Sequence, residues 1–146
     1  MADPASILGI VSAAGTIAAA ITKTVHSLSQ LRDKYHNAEL TIGLMIGELS
    51  TIKAALMRIE TWARYNSYNS VFQRDLADAF EVSLDGCKLA LDALAGEVAE
   101  LVEEAPDSAF MFRTRYVWNE ANMQEHKQRL QGQISALQLL LQAVQM

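Results

Sequence analysis

The sequence has little of what most folds and most chemistries need. A single cysteine, Cys87, excludes an internal disulfide and any cysteine-rich zinc site, and fits a reducing compartment. Two prolines and seven glycines in 146 residues are too few turn formers for a many-stranded β-sandwich. Charged residues make up 20% of the chain against 51% hydrophobic ones, which is too apolar for disorder. Basic residues are outnumbered, 12 to 17, and the net charge of −5 argues against a nucleic-acid partner. No segment alternates apolar and polar residues over a useful length, so no sheet is expected.

Recognisable catalytic motifs are also missing. The three histidines, His26, His36 and His126, fall on different segments without a His-Glu-x-x-His or an i,i+4 pair. They read as surface or helix-end residues, and no metal site is expected. There is no glycine-rich phosphate loop, nucleophile elbow or dinucleotide fingerprint. Glu97, Glu100, Glu103 and Glu104 resemble part of a di-iron helix, but no Glu-x-x-His accompanies them. Cys87 lies on an apolar stripe and reads as a buried, inert thiol. No enzyme and no cofactor are expected.

What is present is helical periodicity, four times over. The stripes are Ile7, Val11, Ala14, Ala18, Ile21, Val25, Leu28; then Ile42, Met45, Leu49, Ile52, Leu56, Ile59, Ala63. A third runs Phe80, Leu84, Cys87, Leu91, Leu94, Val98, Leu101, with Phe72 and Leu76 ahead of it. The fourth is Leu130, Ile134, Leu137, Leu141, Val144, starting near Met123. Each keeps the 3-4 spacing of a buried helix face. The breaks fall at 33–37, 65–70 and 104–108. Asp3 before Pro4, Asn37 with Glu39, and Ser70 with Gln73 fit helix starts. These features predict an all-α fold, an antiparallel four-helix bundle with long helices in one domain spanning 1–146. The aromatic cluster Phe110, Phe112, Tyr116 and Trp118, just after the third break, is expected to cover one end of the bundle, with room for an extra short helix before the last one. The last stripe runs almost to Met146 without a stop signal, the pattern expected of the N-terminal part of a longer protein.

Two features point towards function. Pro4 to Thr22 is an uncharged run of nineteen residues, but its large aliphatics are few: Ile7, Leu8, Ile10, Val11, Ile17 and Ile21. Six such residues give roughly −2 to −4 kcal/mol on the insertion scale, too weak to commit a lone helix to the bilayer. These six are the candidate membrane-interacting residues. The second feature is Gly43-Leu44-Met45-Ile46-Gly47, with Gly15 and Ala19 as its small-residue relative in the first helix. Mid-helix glycine costs about 1 kcal/mol against alanine, so close packing of the first helix on the second is expected at Gly15, Ala19, Gly43 and Gly47. Charge gathers on the third segment, where 67–107 hold ten acidic and two basic residues. A solvated face is the plain account of this; a docking surface for a basic partner is the sharper one.

The start Met1-Ala2-Asp3-Pro4-Ala5-Ser6-Ile7-Leu8-Gly9-Ile10-Val11, followed by an Ala/Gly-rich helix and Leu28-Ser29-Gln30-Leu31-Arg32-Asp33, resembles fungal HeLo-like N-terminal domains. The later stretch Val117-Trp118-Asn119-Glu120, Met123, and 130–141 is similar to the end of that domain. The resemblance covers the whole chain in order. It implies a helical domain at the front of a fungal NOD-like receptor or ankyrin-type protein, with a NACHT, ankyrin or amyloid-type regulatory region downstream. It further implies self-association, cytoplasmic residence at rest, and action on plasma-membrane lipids through an exposed N-terminal helix in programmed cell death, heterokaryon incompatibility or innate immunity. The chain departs from a simple lipid binder in its few basic residues, only Lys23, Arg32 and Lys34 behind the apolar run. The alternative is a soluble homotypic oligomerisation or signalling adaptor without membrane activity.

Overall fold

The computed structural model describes residues 4–34, 39–65, 72–104 and 120–145, which form four helices: α1 (Pro4–Lys34), α2 (Glu39–Tyr65), α3 (Phe72–Glu104) and α4 (Glu120–Gln145). At 26 to 33 residues they are each about 40–50 Å long. The short extra helix with its aromatic cluster, His36, the caps at Asp3, Asn37 and Ser70, and the side chains of Ile7, Phe72 and Val144 lie outside the described residues.

The four helices pack into a bundle whose side-by-side pairs are α1 with α2, α1 with α3, α2 with α4 and α3 with α4. Residue pairs give the directions. The four-residue connection 35–38 makes the packed pair α1/α2 antiparallel, with Thr22 meeting Lys53. Glu97 and Cys87 meet His126 and Gln133 respectively, so α3/α4 are antiparallel as well. Glu48 meets Gln131 while Arg58 shares a groove with Leu141, so α2 and α4 run parallel. Consecutive helices alternate in direction, as the up-down-up-down pattern requires. However, α2 and α3 occupy opposite corners. They touch through the Trp62–Phe80 ring pair, whose centroids are 4.8 Å apart.

The core follows heptad spacing on α1, α2 and α3, and skips a residue after Leu130 on α4. On α2 the buried apolar set is Ile42, Met45, Leu49, Ile52, Leu56, Ile59 and Ala63, the stripe read from the sequence, with Thr41 buried beside it. On α3 it is Ala77, Phe80, Leu84, Cys87, Leu91, Leu94 and Val98, with Leu101 packed at its edge. On α1 the seam is rotated from the expected line. Ile10, Ala14, Ile17, Ile21, Thr24, Leu28 and Leu31 are buried, while Val11, Ala18 and Val25 are half-buried on the flank. Thr24 tolerates this position because its hydroxyl donates to Ala20 O at 2.9 Å, satisfying it within the helix.

On α4 the seam is Met123, His126, Leu130, Leu137 and Leu141, with Ile134 at its edge. His126 is thus a core residue at 6% exposure, not a surface or helix-end one. Its Nε2 donates to Glu97 Oε2 at 2.5 Å, and Asn122 Nδ2 donates to Glu97 Oε1 at 3.4 Å. A carboxylate that can only accept fixes which ring nitrogen carries the proton there. Its Nδ1 has no hydrogen-bond partner among the described residues.

Candidate functional site: the outer face of the first helix

The α1 helix is more apolar than its share of the core accounts for. By length and composition it can cross a bilayer, yet only 28% of its most apolar window is buried. Ile10, Ile17 and Ile21 point into the bundle, Val11 is half-buried, and Leu8 stands 69% exposed. The outward face from Leu8 to Thr22 reads Leu8, Gly9, Ser12, Gly15, Thr16, Ala19 and Thr22, with no charge on it. Ordinary surface helices spend such positions on charged residues.

Three hydroxyls on α1 are satisfied within the helix. Thr22 donates to Ala18 O at 3.2 Å, and Ser29 to Val25 O at 3.0 Å, in the same manner as Thr24. Such back-bonding removes most of the cost of taking a hydroxyl into hydrocarbon. Lys53 Nζ donates to Thr22 Oγ1 at 2.8 Å, tying α1 to α2 where the uncharged run ends.

Of the six candidate membrane residues, then, Ile10, Ile17 and Ile21 serve the core, Leu8 faces solvent and Val11 sits between. A helix arranged this way cannot present all its aliphatics to lipid without leaving the bundle. Burying a large aliphatic is worth about 1.5–3 kcal/mol, so Ile10, Ile17, Ile21, Leu28 and Leu31 together hold α1 in place by roughly 8–15 kcal/mol.

α2 also passes the length-and-composition test for a bilayer span. It differs in carrying Glu48 and Lys53 inside the apolar stretch. Each costs about 2.5–3.5 kcal/mol at the centre of a span, so α2 is the poorer candidate.

The four small residues do something other than expected. Gly15, Ala19, Gly43 and Gly47 are all exposed, and a Cβ built on Gly15, Gly43 or Gly47 would meet nothing within 4 Å. The expected close approach of α1 and α2 at these positions is therefore absent; the two helices meet along their aliphatic seams instead. The glycine that does make room is Gly86 on α3, where a Cβ would lie 3.0 Å from Gln133 Oε1.

Chemistry elsewhere is sparse. Cys87 is buried, its Sγ donates to Gln133 Oε1 at 3.6 Å, and burial pushes its thiol up to about 11. Among the described residues no group of three or more His, Cys, Asp or Glu is placed to hold a metal. What the fold and this face define is an all-α bundle with an uncharged outer surface on its first helix. Comparison with protein-family models, with curated proteins and with solved structures finds no match for this chain.

Proposed function

We propose that this domain is a membrane-targeting, cell-death-inducing effector module of the HeLo-like kind, fronting a fungal NOD-like receptor or related protein. It rests in the cytoplasm as the closed bundle. Oligomerisation then releases α1 to the plasma membrane. The observation that carries the reading is the uncharged outer face of α1 from Leu8 to Thr22, on a helix long and apolar enough to span.

A lone copy of α1 gains only roughly 2–4 kcal/mol on insertion, less than the burial it gives up in the bundle. Several copies gathered at one spot change that balance, because small residues at Gly15 and Ala19 allow close helix contact within lipid. That is the energetic form of a switch with a soluble resting state.

The test is dye release from vesicles containing anionic lipid, comparing the chain with Leu8→Asp and Ala19→Asp, in each case alone and fused to a forced oligomeriser. Both positions are exposed, so the bundle stays folded, while one charge in the span costs about 2.5–3.5 kcal/mol and cancels the gain. Wild-type release with loss in both variants supports the reading. Equal release by folded variants, or none by the fused wild type, refutes it.

The second reading, a soluble oligomerisation adaptor, is favoured by a different surface. The outward side of α3 carries Val82 and Leu89, each 72% exposed, among carboxylates. Failure of the vesicle test together with self-association in solution would establish it over the first.

A further inference from the structure

The α3 surface has a complement on the same molecule. Between the parallel helices α2 and α4 runs an open groove in two adjoining stretches. Ile52, Ala55 and Ile134 line one, Met57 and Trp62 the other, and Arg58 and Leu141 line both. Arg58 is exposed and forms no ion pair among the described residues, unlike Arg64, which binds Glu60 at 2.8 Å, and Arg129, which lies 3.7 Å from Glu125. The groove is therefore mostly apolar, with Thr51, Thr61 and Gln138 as neutral polar lining and one cation without an ion-pair partner among the described residues shared by its two stretches.

The outer ridge of α3 reads Asp78, Val82, Asp85, Leu89, Asp92 at alternating four- and three-residue spacing. All five side chains are exposed, and none of the three aspartates has an ion-pair partner among the described residues. Val82 and Leu89 lie one heptad apart, about 10 Å along the axis, with Asp85 between them. The groove from Thr51 to Trp62 is about 16 Å long, with Arg58 inside that length. Two apolar knobs flanking one carboxylate match two apolar stretches flanking one guanidinium.

Geometry forbids this match within one molecule. The ridge is on the outside of α3, and the groove lies between α2 and α4, with α2 at the opposite corner of the bundle.

We infer that the α3 ridge of one copy of this chain docks into the α2–α4 groove of a second copy, Val82 and Leu89 entering the groove and Asp85 pairing with Arg58. The α3 ridge and the α2–α4 groove point largely away from each other across the bundle, so two copies cannot engage both pairs at once and the contact is heterologous: assembly proceeds to a ring or a filament instead of stopping at two. Desolvating Arg58 and Asp85 together between apolar neighbours makes the pair a determinant of register. This inference rests on the proposed function for its purpose, since it supplies the self-association that gathers copies of α1. It stands apart from it in its test, which uses no lipid.

The experiment is analytical ultracentrifugation of the 146-residue chain across the micromolar to millimolar range, with two variants. Val82→Glu/Leu89→Glu removes the ridge, and Arg58→Glu removes the groove's cation. All three positions are exposed, and circular dichroism confirms that the helices are kept. The wild type is expected to grow beyond a dimer with concentration, and each variant alone to associate about tenfold or more weakly. Mixed one to one, the variants should form a heterodimer and go no further, because one supplies an intact groove and the other an intact ridge. A wild type that stays monomeric overturns the inference, and so does assembly that both variants leave unchanged. A mixture that fails to pair, where both single variants are monomeric, overturns the head-to-tail geometry. Dye release with normal assembly lost, or assembly without dye release, separates this inference from the membrane reading.

Discussion

Replacing Gly43 and Gly47 with alanine should make this protein more stable. A Gly-x-x-x-Gly pair in the middle of a helix ordinarily marks a place where another backbone comes close, and there a methyl group would be destabilising. Here the opposite holds. Both residues lie in the interior of α2, neither has a positive φ, and a Cβ on either would meet nothing within 4 Å. With no steric cost, only the helix-propensity term remains, about 0.4–1 kcal/mol for each Gly→Ala, partly through the lost freedom of the unfolded chain. The pair should gain about 1–2 kcal/mol. For a chain of this size 1 kcal/mol corresponds to roughly 3 °C, so the melting temperature should rise by about 3–6 °C.

Gly86→Ala supplies the contrast. Its Cβ would sit 3.0 Å from Gln133 Oε1 and 3.3 Å from Nε2. The amide would have to swing away, loosening its contact with Cys87, so the same propensity gain is offset and the change should be near zero or negative. Thermal unfolding followed by circular dichroism measures all three. A lowered melting temperature for Gly43→Ala/Gly47→Ala would mean that another helix does lie against that face. It would refute the bundle geometry argued above.

The rotation of the α1 seam has its own test. Leu28→Ala should cost about 2–5 kcal/mol in urea unfolding, whereas Val25→Ala, on the half-buried flank, should cost about 1 kcal/mol or less. Equal losses would put both residues on the seam. Glu97→Ala removes the carboxylate that His126 Nε2 donates to and leaves a buried donor without its partner, at about 1–3 kcal/mol by the same measurement. Cys87 ionises at about 11 in the fold against 9.0 when free, so its contribution is complete below pH 9 and is lost as pH rises through 11. At about 1.4 kcal/mol for each pKa unit, wild type should lose roughly 2–3 kcal/mol more than Cys87→Ala over that window. Native Cys87 should also resist a thiol reagent at pH 8 until the chain unfolds.

The sequence showed the bundle well where a single residue type governs a seam. On α2 every apolar position of the observed core was legible, because apolar residues occupy all its heptad sites; buried Thr41, beside Ile42, was not. On α1 the same reasoning found Ala14, Ile21 and Leu28 but set the alternate sites one residue late, at Val11, Ala18 and Val25 instead of Ile10, Ile17 and Thr24. Val11, Ala18 and Val25 outweighed a seam that contains Thr24, and a hydroxyl counts as polar until its i−4 back-bond is seen. His126 was misplaced for the same reason: its partner Glu97 is 29 residues away, and no local signal announces that a polar side chain will find a carboxylate across the interface. Glycine misled in the other direction. Spacing says that Gly43 and Gly47 lie on one face but not which way the face points, and here it points outward.

The glycine error bears on the function. Apolar and small residues were expected to turn inward, and on α1 and α2 many do not. Leu8, Gly15, Ala19, Gly43, Leu44 and Gly47 are all exposed. Glycines that cost stability without making room for a neighbour in the bundle need an explanation outside it. In lipid, or against another copy, the absence of a side chain at these positions permits what it does not permit here: a helix axis approaching closely enough for backbone contact. The Gly43→Ala/Gly47→Ala variant therefore carries a second expectation. If the outward glycines serve an assembled state, the bundle should become more stable while dye release or self-association falls. A variant that gains stability and keeps both activities would leave the glycines with no role in assembly.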